Sequence, residues 1–229
     1  MTSEKITLPE QITQSGEMLR LGLTDFPFGE VIRHCGEANP HGIDVTMPVD
    51  AFPIVSDYLS VFTTFGGSRE KLTFKRHTGI DVGAPIGTPV LAAADGIVTA
   101  RDSSEREGDR VYLRHENGVM SGYIHLEGKI SRDGSVKRGE VIGTVGVTGG
   151  GASGKVPHLH FSVWDGNTYG DANNLKSLEK DHINPHDWWY DGPGKITLFR
   201  PELNHSGKYD DKPDKLTFPL PGINDRAKF

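Results

Sequence analysis

Gly79-Ile-Asp-Val-Gly-Ala-Pro-Ile-Gly-Thr-Pro-Val90, continued by Leu91-Ala-Ala-Ala-Asp95-Gly96-Ile-Val-Thr-Ala100, alternates apolar residues with glycine and proline turns. That texture fits short strands, not helices. Val90 to Ala94, then Asp95-Gly96, then Ile97 to Ala100 reads as strand, turn, strand. The same texture continues on either side. Val61 to Phe65 is β-branched and aromatic and stops at Gly66-Gly67. Arg110 to Arg114 alternates and meets a turn at Asn117-Gly118. Met120 to Leu126, Val141 to Val147 and Leu159 to Trp164 are further strands. Short strands separated by turn signals predict an all-β fold, an antiparallel sandwich or barrel-like sheet. The 29 glycines and 14 prolines among 229 residues favour the same class over a helical one.

The strand-rich texture spans residues 47–190, which we take as one domain. Residues 1–46 read as an N-terminal extension, with a short helix over Gln11 to Leu23 and a loop over His34 to Gly42. Residues 191–229 are rich in Pro, Gly, Lys and Asp, and read as a C-terminal extension packed on that domain.

Charge and cysteine content exclude some functions. The chain carries 25 basic and 31 acidic residues, a net charge of −6, and no Lys/Arg run of the kind that grips nucleic acid. Cys35 stands alone, so neither an intramolecular disulfide nor a cysteine-rich zinc cluster can form. No stretch approaches the roughly 20 apolar residues of a transmembrane segment. The N-terminus lacks the apolar core of a secretory signal. That leaves a cytoplasmic protein or a chain whose signal has been removed.

The histidines carry the chemistry. Three motifs stand in strand-like context: His77-Thr-Gly-Ile-Asp81, Tyr123-Ile-His125-Leu126 and His158-Leu-His160. Residues i and i+2 of a strand share a face, so His158 and His160 project into one groove, one able to bind metal and the other to act as a base. His77 and Asp81, four apart, share a face in extended chain, with little bulk at Gly79 between them. Asp81 would add an anionic oxygen ligand. Two or three neutral imidazoles, one carboxylate and a spare proton acceptor are what a zinc hydrolase needs. Gly143 to Gly154 is glycine-rich and could admit a substrate backbone. Other candidates fit less well. Pro185 disfavours helix between His182 and His186, which read as a structural loop. His115-Glu116 has no second histidine at helical spacing. His205 reads as solvated, and Trp188-Trp189 as sealing a core edge.

Taken with Ala94-Asp-Gly-Ile-Val98, Gly139-Glu-Val-Ile-Gly143 and Asn184-Pro185, these motifs make the chain resemble the lysostaphin-type (LytM-like) zinc endopeptidases from about Phe62 to Trp164. The resemblance implies a two-sheet antiparallel β-sandwich-like peptidase domain with a catalytic groove on one sheet, a Zn2+ cofactor, and peptide cross-links of bacterial peptidoglycan as substrate. It implies His77, Asp81 and His160 as metal ligands, with His125 and His158 as the catalytic histidines. Some members place a tyrosine shortly before the first motif, and Lys71 to Arg76 contains none. The substrate class implies a periplasmic or secreted location. No separate wall-targeting domain is recognised and the chain is acidic, which leans towards a D,D-type cross-link over a polyglycine bridge.

Two rival readings follow from the same residues. An inactive relative would bind and activate other wall hydrolases, but such proteins typically lose ligand residues, and this chain keeps them all. A histidine phosphocarrier would have no need of Asp81. Within the N-terminal extension, His34, Cys35, Asn39 and His41 could each reach an open metal position, with Cys35 as thiolate the most effective plug.

Overall fold

A computed structural model of the chain describes residues 41–58, 61–65, 72–116, 118–129, 133–152, 156–166 and 182–229, with backbone alone for 61–65 and 72–76. The helix expected over Gln11 to Leu23 lies outside these residues. The described residues form thirteen strands: β1 (Ile54–Ser56), β2 (Val61–Phe65), β3 (Leu72–Arg76), β4 (Ile80–Gly83), β5 (Pro89–Leu91), β6 (Gly96–Ala100), β7 (Ser103–Ser104), β8 (Gly108–Arg114), β9 (Val119–Lys129), β10 (Gly134–Val136), β11 (Val141–Val145), β12 (His158–Asp165) and β13 (His182–Ile183). One four-residue helix, α1 (Pro201–Asn204), follows. The class is all-β and every strand pair is antiparallel.

The strands do not divide into two separately hydrogen-bonded sheets of a sandwich. Eleven belong to one sheet with spine β1-β4-β12-β9-β8-β6-β10, and β2 and β3 form a separate ribbon. The continuity comes from β9. Its first half pairs with β12 and β8, and its far end pairs with β11.

Alternation along the central strands separates two faces. Val111, Leu113, Val119, Tyr123, Leu159, Phe161 and Val163 enter the main core. Their neighbours Tyr112, Met120, Ile124 and Trp164 form a smaller cluster of their own. Full burial of a large apolar side chain contributes about 1.5–3 kcal/mol, so the odd-numbered set holds the sheet in register.

The alternation breaks at His125. Tyr123 and Leu126 both enter the core although they are three residues apart. Opposite them, Arg110 pairs with Ile124 and Asp109 with Leu126, leaving His125 as an extra residue in β9. This is a β-bulge, with His125 in the left-handed region at φ 69°. A non-glycine residue there costs about 1–2 kcal/mol.

The strand–turn–strand expected across residues 90–100 is present, with its first strand ending at Leu91, and its two strands do not pair with each other. β5 pairs with β11, while β6 pairs with β8 and β10. Ala92, Ala93 and Ala94 between them are fully buried and cross the core. Their small side chains let backbone meet other partners: the Ala93 carbonyl accepts from Thr217 N (2.8 Å) and Arg138 Nη1 (2.7 Å). Residues 191–229 add Ile196, Leu198, Leu216, Phe218 and Leu220 to the main core. Trp189, read as an edge seal, is fully buried within it, and Trp188 packs against it.

Candidate metal centre

β4 and β12 bring the first and third motifs together by register. Asp81 is the direct cross-strand partner of His160, so one sheet position fixes both. His77 arrives differently from the extended path expected. It lies ahead of β4, and the chain bends at Thr78 and Gly79 before the strand begins. The bend needs glycine. A Cβ at Gly79 would strike the Phe161 carbonyl oxygen and lie 3.0 Å from His160 Nε2.

The Gly79→Ala substitution should therefore push β4 off β12 and separate the ligand-bearing residues. A shift approaching 1 Å costs activity about a hundred-fold, and overpacking costs about 1–3 kcal/mol of stability. Kinetics and thermal unfolding of this variant check both. Parent-like values for both would overturn the role given to Gly79.

Three candidate ligand atoms converge. His77 Nε2 is 3.1 Å from Asp81 Oδ1 and 3.0 Å from His160 Nδ1, and His160 Nδ1 is 2.8 Å from the same Asp81 oxygen. The Nδ1 of His77 faces the Asp57 carbonyl at 3.0 Å and Ser56 Oγ at 3.3 Å. Donation to the carbonyl leaves Nε2 of neutral His77 as a lone pair. It therefore faces another lone pair on Asp81 Oδ1. A proton on His160 Nδ1 would satisfy only the contacts His160 makes. A cation among the three satisfies all of them. A tetrahedral zinc with bonds of about 2.0–2.1 Å separates its ligand atoms by about 3.3 Å, close to the spacing found.

The electrostatics agree with that donor set. Burial alone would raise the Asp81 carboxyl, but with no cation between them protonated His77 and His158, by charge, and His160 and His77, by hydrogen bonds, hold it well below the usual carboxylate range; a bound cation would supply that positive charge instead. Burial lowers the His160 imidazole despite its bond to Asp81, which favours the neutral form that can ligate.

Two further imidazoles border the trio. His158 gives its Nδ1 to the Val156 carbonyl at 2.7 Å. Its buried Nε2 has no hydrogen-bond partner among the described residues and stands 3.9 Å from Asp81 Oδ2. Leaving a buried polar atom unpaired costs about 1–3 kcal/mol, which marks this nitrogen for a role other than stability. His125 gives its Nδ1 to the Thr148 carbonyl at 2.9 Å, leaving Nε2 as a lone pair. Its ring lies 5.0 Å from that of His158 and 6.2 Å from that of His160. Burial first, then the neighbouring His160 and His158, pushes the His125 imidazole down to about 3. It is therefore neutral near pH 7, with its Nε2 unprotonated.

Thr148 holds the bulge that carries His125. Its hydroxyl donates to the Leu126 carbonyl (2.8 Å) and accepts from Asp109 N (2.9 Å). The glycine-rich segment expected to admit a substrate backbone serves packing where it is described. Gly143 lies within β11, and a Cβ at Gly151 would come 3.0 Å from the His125 ring.

All five residues singled out in the sequence thus meet in one place. Of the extension residues considered as a plug, His34, Cys35 and Asn39 lie outside the described residues. His41 is elsewhere, bonded through Nε2 to Asp57 Oδ2 at 3.1 Å. His186 joins the same carboxylate (2.8 Å) and is fully buried, a structural residue as read from Pro185. His115 bonds the Asp95 carbonyl and Ser121 Oγ, both at 2.8 Å, away from the centre. His205 is exposed, as expected.

Comparison with known proteins adds family context. Residues 75–174 match the sequence model of peptidase family M23. The DD-carboxypeptidase/endopeptidase Mpg of Neisseria meningitidis serogroup B is 42% identical over 108 residues, 46% of this chain and 24% of that protein. The peptidoglycan DD-endopeptidase ShyC of Vibrio cholerae is 42% identical over 88 residues, 38% of this chain and 20% of that protein. The chain thus spans about a quarter or less of the length of these relatives. A zinc containing peptidase from Vibrio cholerae overlays with TM-score 0.43 and 27% identity, covering 55% of this chain and 37% of that one.

Proposed function

We propose, from the premise that residues 75–174 belong to peptidase family M23, that the chain is a zinc endopeptidase acting on peptide cross-links of bacterial peptidoglycan. The observation that carries this reading is the convergence of His77 Nε2, Asp81 Oδ1 and His160 Nδ1 within 3.1 Å. The names of the matched relatives supply the substrate class, and both refer to DD-peptide chemistry. Residues 47–190 are the catalytic unit, with 1–46 and 191–229 as extensions. The substrate places its action outside the cytoplasm, in the periplasm or beyond. No helix among the described residues is long and apolar enough to cross a membrane.

His77, Asp81 and His160 would hold the ion. When bound, zinc polarises the scissile carbonyl and lowers the pKa of a coordinated water to about 7. The remaining steps belong to the side chains. His125, neutral with an unprotonated Nε2, accepts the proton released by the attacking water. His125 then returns that proton to the leaving amine, while His158, its Nε2 aimed at the site and carrying a proton taken from solvent before the cycle begins, steadies the developing oxyanion and keeps that proton. Two imidazoles with their Nδ1 atoms tied to main-chain carbonyls are already oriented and need little reorganisation on reaction. The inactive-binder reading finds no support in a chain that retains every one of these groups.

Digestion of purified sacculi tests the proposal. Sacculi carrying D,D cross-links should release fragments with new D-alanine carboxyl termini, identified by mass. Polyglycine-bridged sacculi should release far less. Chelation should stop release and zinc restore it. A zinc-loaded chain that releases nothing from either substrate would overturn the reading.

A further inference from the structure

The Nδ1 of His77 is held by residues 56 and 57, which precede the family-matched region, and their anchorage comes from further away still. The Asp57 carboxylate accepts from three directions. His41 Nε2 lies 3.1 Å from Oδ2, His186 Nε2 lies 2.8 Å from Oδ1, and Tyr58 N–H donates to Oδ1 at 2.7 Å. Residues 41, 57 and 186 all lie outside residues 75–174.

His41, Asp57 and His186 have ligand atoms within 4.8 Å of one another, a spacing that a cation could use. The opposite nitrogens argue against one. Trp189 Nε1 can only donate, and it donates to His186 Nδ1 at 3.0 Å. The Ile43 backbone N–H likewise donates to His41 Nδ1 at 3.2 Å. Each neutral ring must then carry its proton on Nε2, aimed at the carboxylate. A cation on those Nε2 atoms would force protons onto nitrogens that already face N–H donors. The trio is a hydrogen-bonded clamp, and both carboxylate oxygens are held.

We propose that Asp57, clamped by His41 and His186, is a positioning residue for the metal centre: it fixes the backbone whose carbonyl sets the tautomer and ring orientation of His77. The proposal rests on the metal-centre reading above. The chain of contacts runs from Trp189 and Ile43 through two imidazoles to the Asp57 carboxylate. From there it passes along the Asp57 main chain to His77 Nδ1, and so presents the Nε2 lone pair towards Asp81 and His160. Outer partners of a ligating histidine typically contribute 10–100-fold in metal affinity.

The test uses the full chain and zinc itself. Asp57→Ala and Asp57→Asn should weaken zinc 10–100-fold in competition with a chromophoric chelator. They should also alter the visible spectrum of the cobalt-substituted protein, a readout that general destabilisation does not move. His186→Gln, whose amide can still donate to the carboxylate, should lie closer to the parent than His186→Leu. Phe199→Leu, which loosens the core away from the site, should lower the unfolding midpoint and leave the cobalt spectrum unchanged. Should Asp57→Ala not fold, Asp57→Asn and His41→Leu carry the same thresholds. A zinc-binding parent whose Asp57 variants keep its affinity and spectrum would overturn this proposal alone. A parent that binds no zinc would overturn the metal-centre reading, and this proposal with it.

Discussion

His160→Ala is expected to leave the chain unable to retain zinc through dialysis, and to bring peptidoglycan release down to that of the chelated parent. The expectation follows from ligand count. Catalytic zinc sites hold the ion with three protein ligands and keep one position open. His160 Nδ1 sits 2.8 Å from Asp81 Oδ1 and 3.0 Å from His77 Nε2, so its removal leaves only two donors. Without the ion, a water at the site returns to the far weaker acidity of bulk water, and no side chain among the described residues compensates for that difference. Metal content per chain and sacculus digestion, measured on the same preparation, decide the matter. One zinc per chain in the variant would contradict the ligand assignment.

His125→Ala should give the opposite pairing of results: zinc retained, activity reduced about 10²–10⁴-fold. His125 takes no part in the convergent trio, and its ring is 6.2 Å from that of His160. What it offers is a lone pair on Nε2, kept free by the Nδ1 bond to Thr148 and kept unprotonated by burial. Alanine removes that acceptor and keeps a Cβ, so the strained backbone at φ 69° is not relieved. Lower kcat with unchanged zinc content is the signature. Equal zinc content in the His77, His125, His158 and His160 variants would refute the division of roles.

Much of the fold was legible because β-sheet alternation is a local signal. The strands β2, β8, β9, β11 and β12 fall where alternating or β-branched runs stand in the sequence. Strands as short as β1, β7 and β13 leave no such run, since two or three residues cannot display a period. That the strands on either side of Asp95-Gly96 do not pair with each other has a related cause. The turn signal is real, but the alanines before it are small enough to be buried away from strand β6, and the Ala93 carbonyl finds partners in Thr217 and Arg138. Partners 45 and 124 residues distant are invisible to a local reading.

The candidate centre divides in the same way. Residue types and spacing determined which donors this chain could assemble: two imidazoles and a carboxylate of the right chemistry, with two imidazoles to spare. Only the tertiary structure decided where each nitrogen points. The extra residue in β9 turns His125 away from the core that Tyr123 and Leu126 enter, which strict alternation would not do. The Asp57 carbonyl and its clamp choose the nitrogen that His77 presents. A sequence records what each side chain can donate. Direction comes from the partner on the far side of the ring, and that partner arrives only when distant segments fold together.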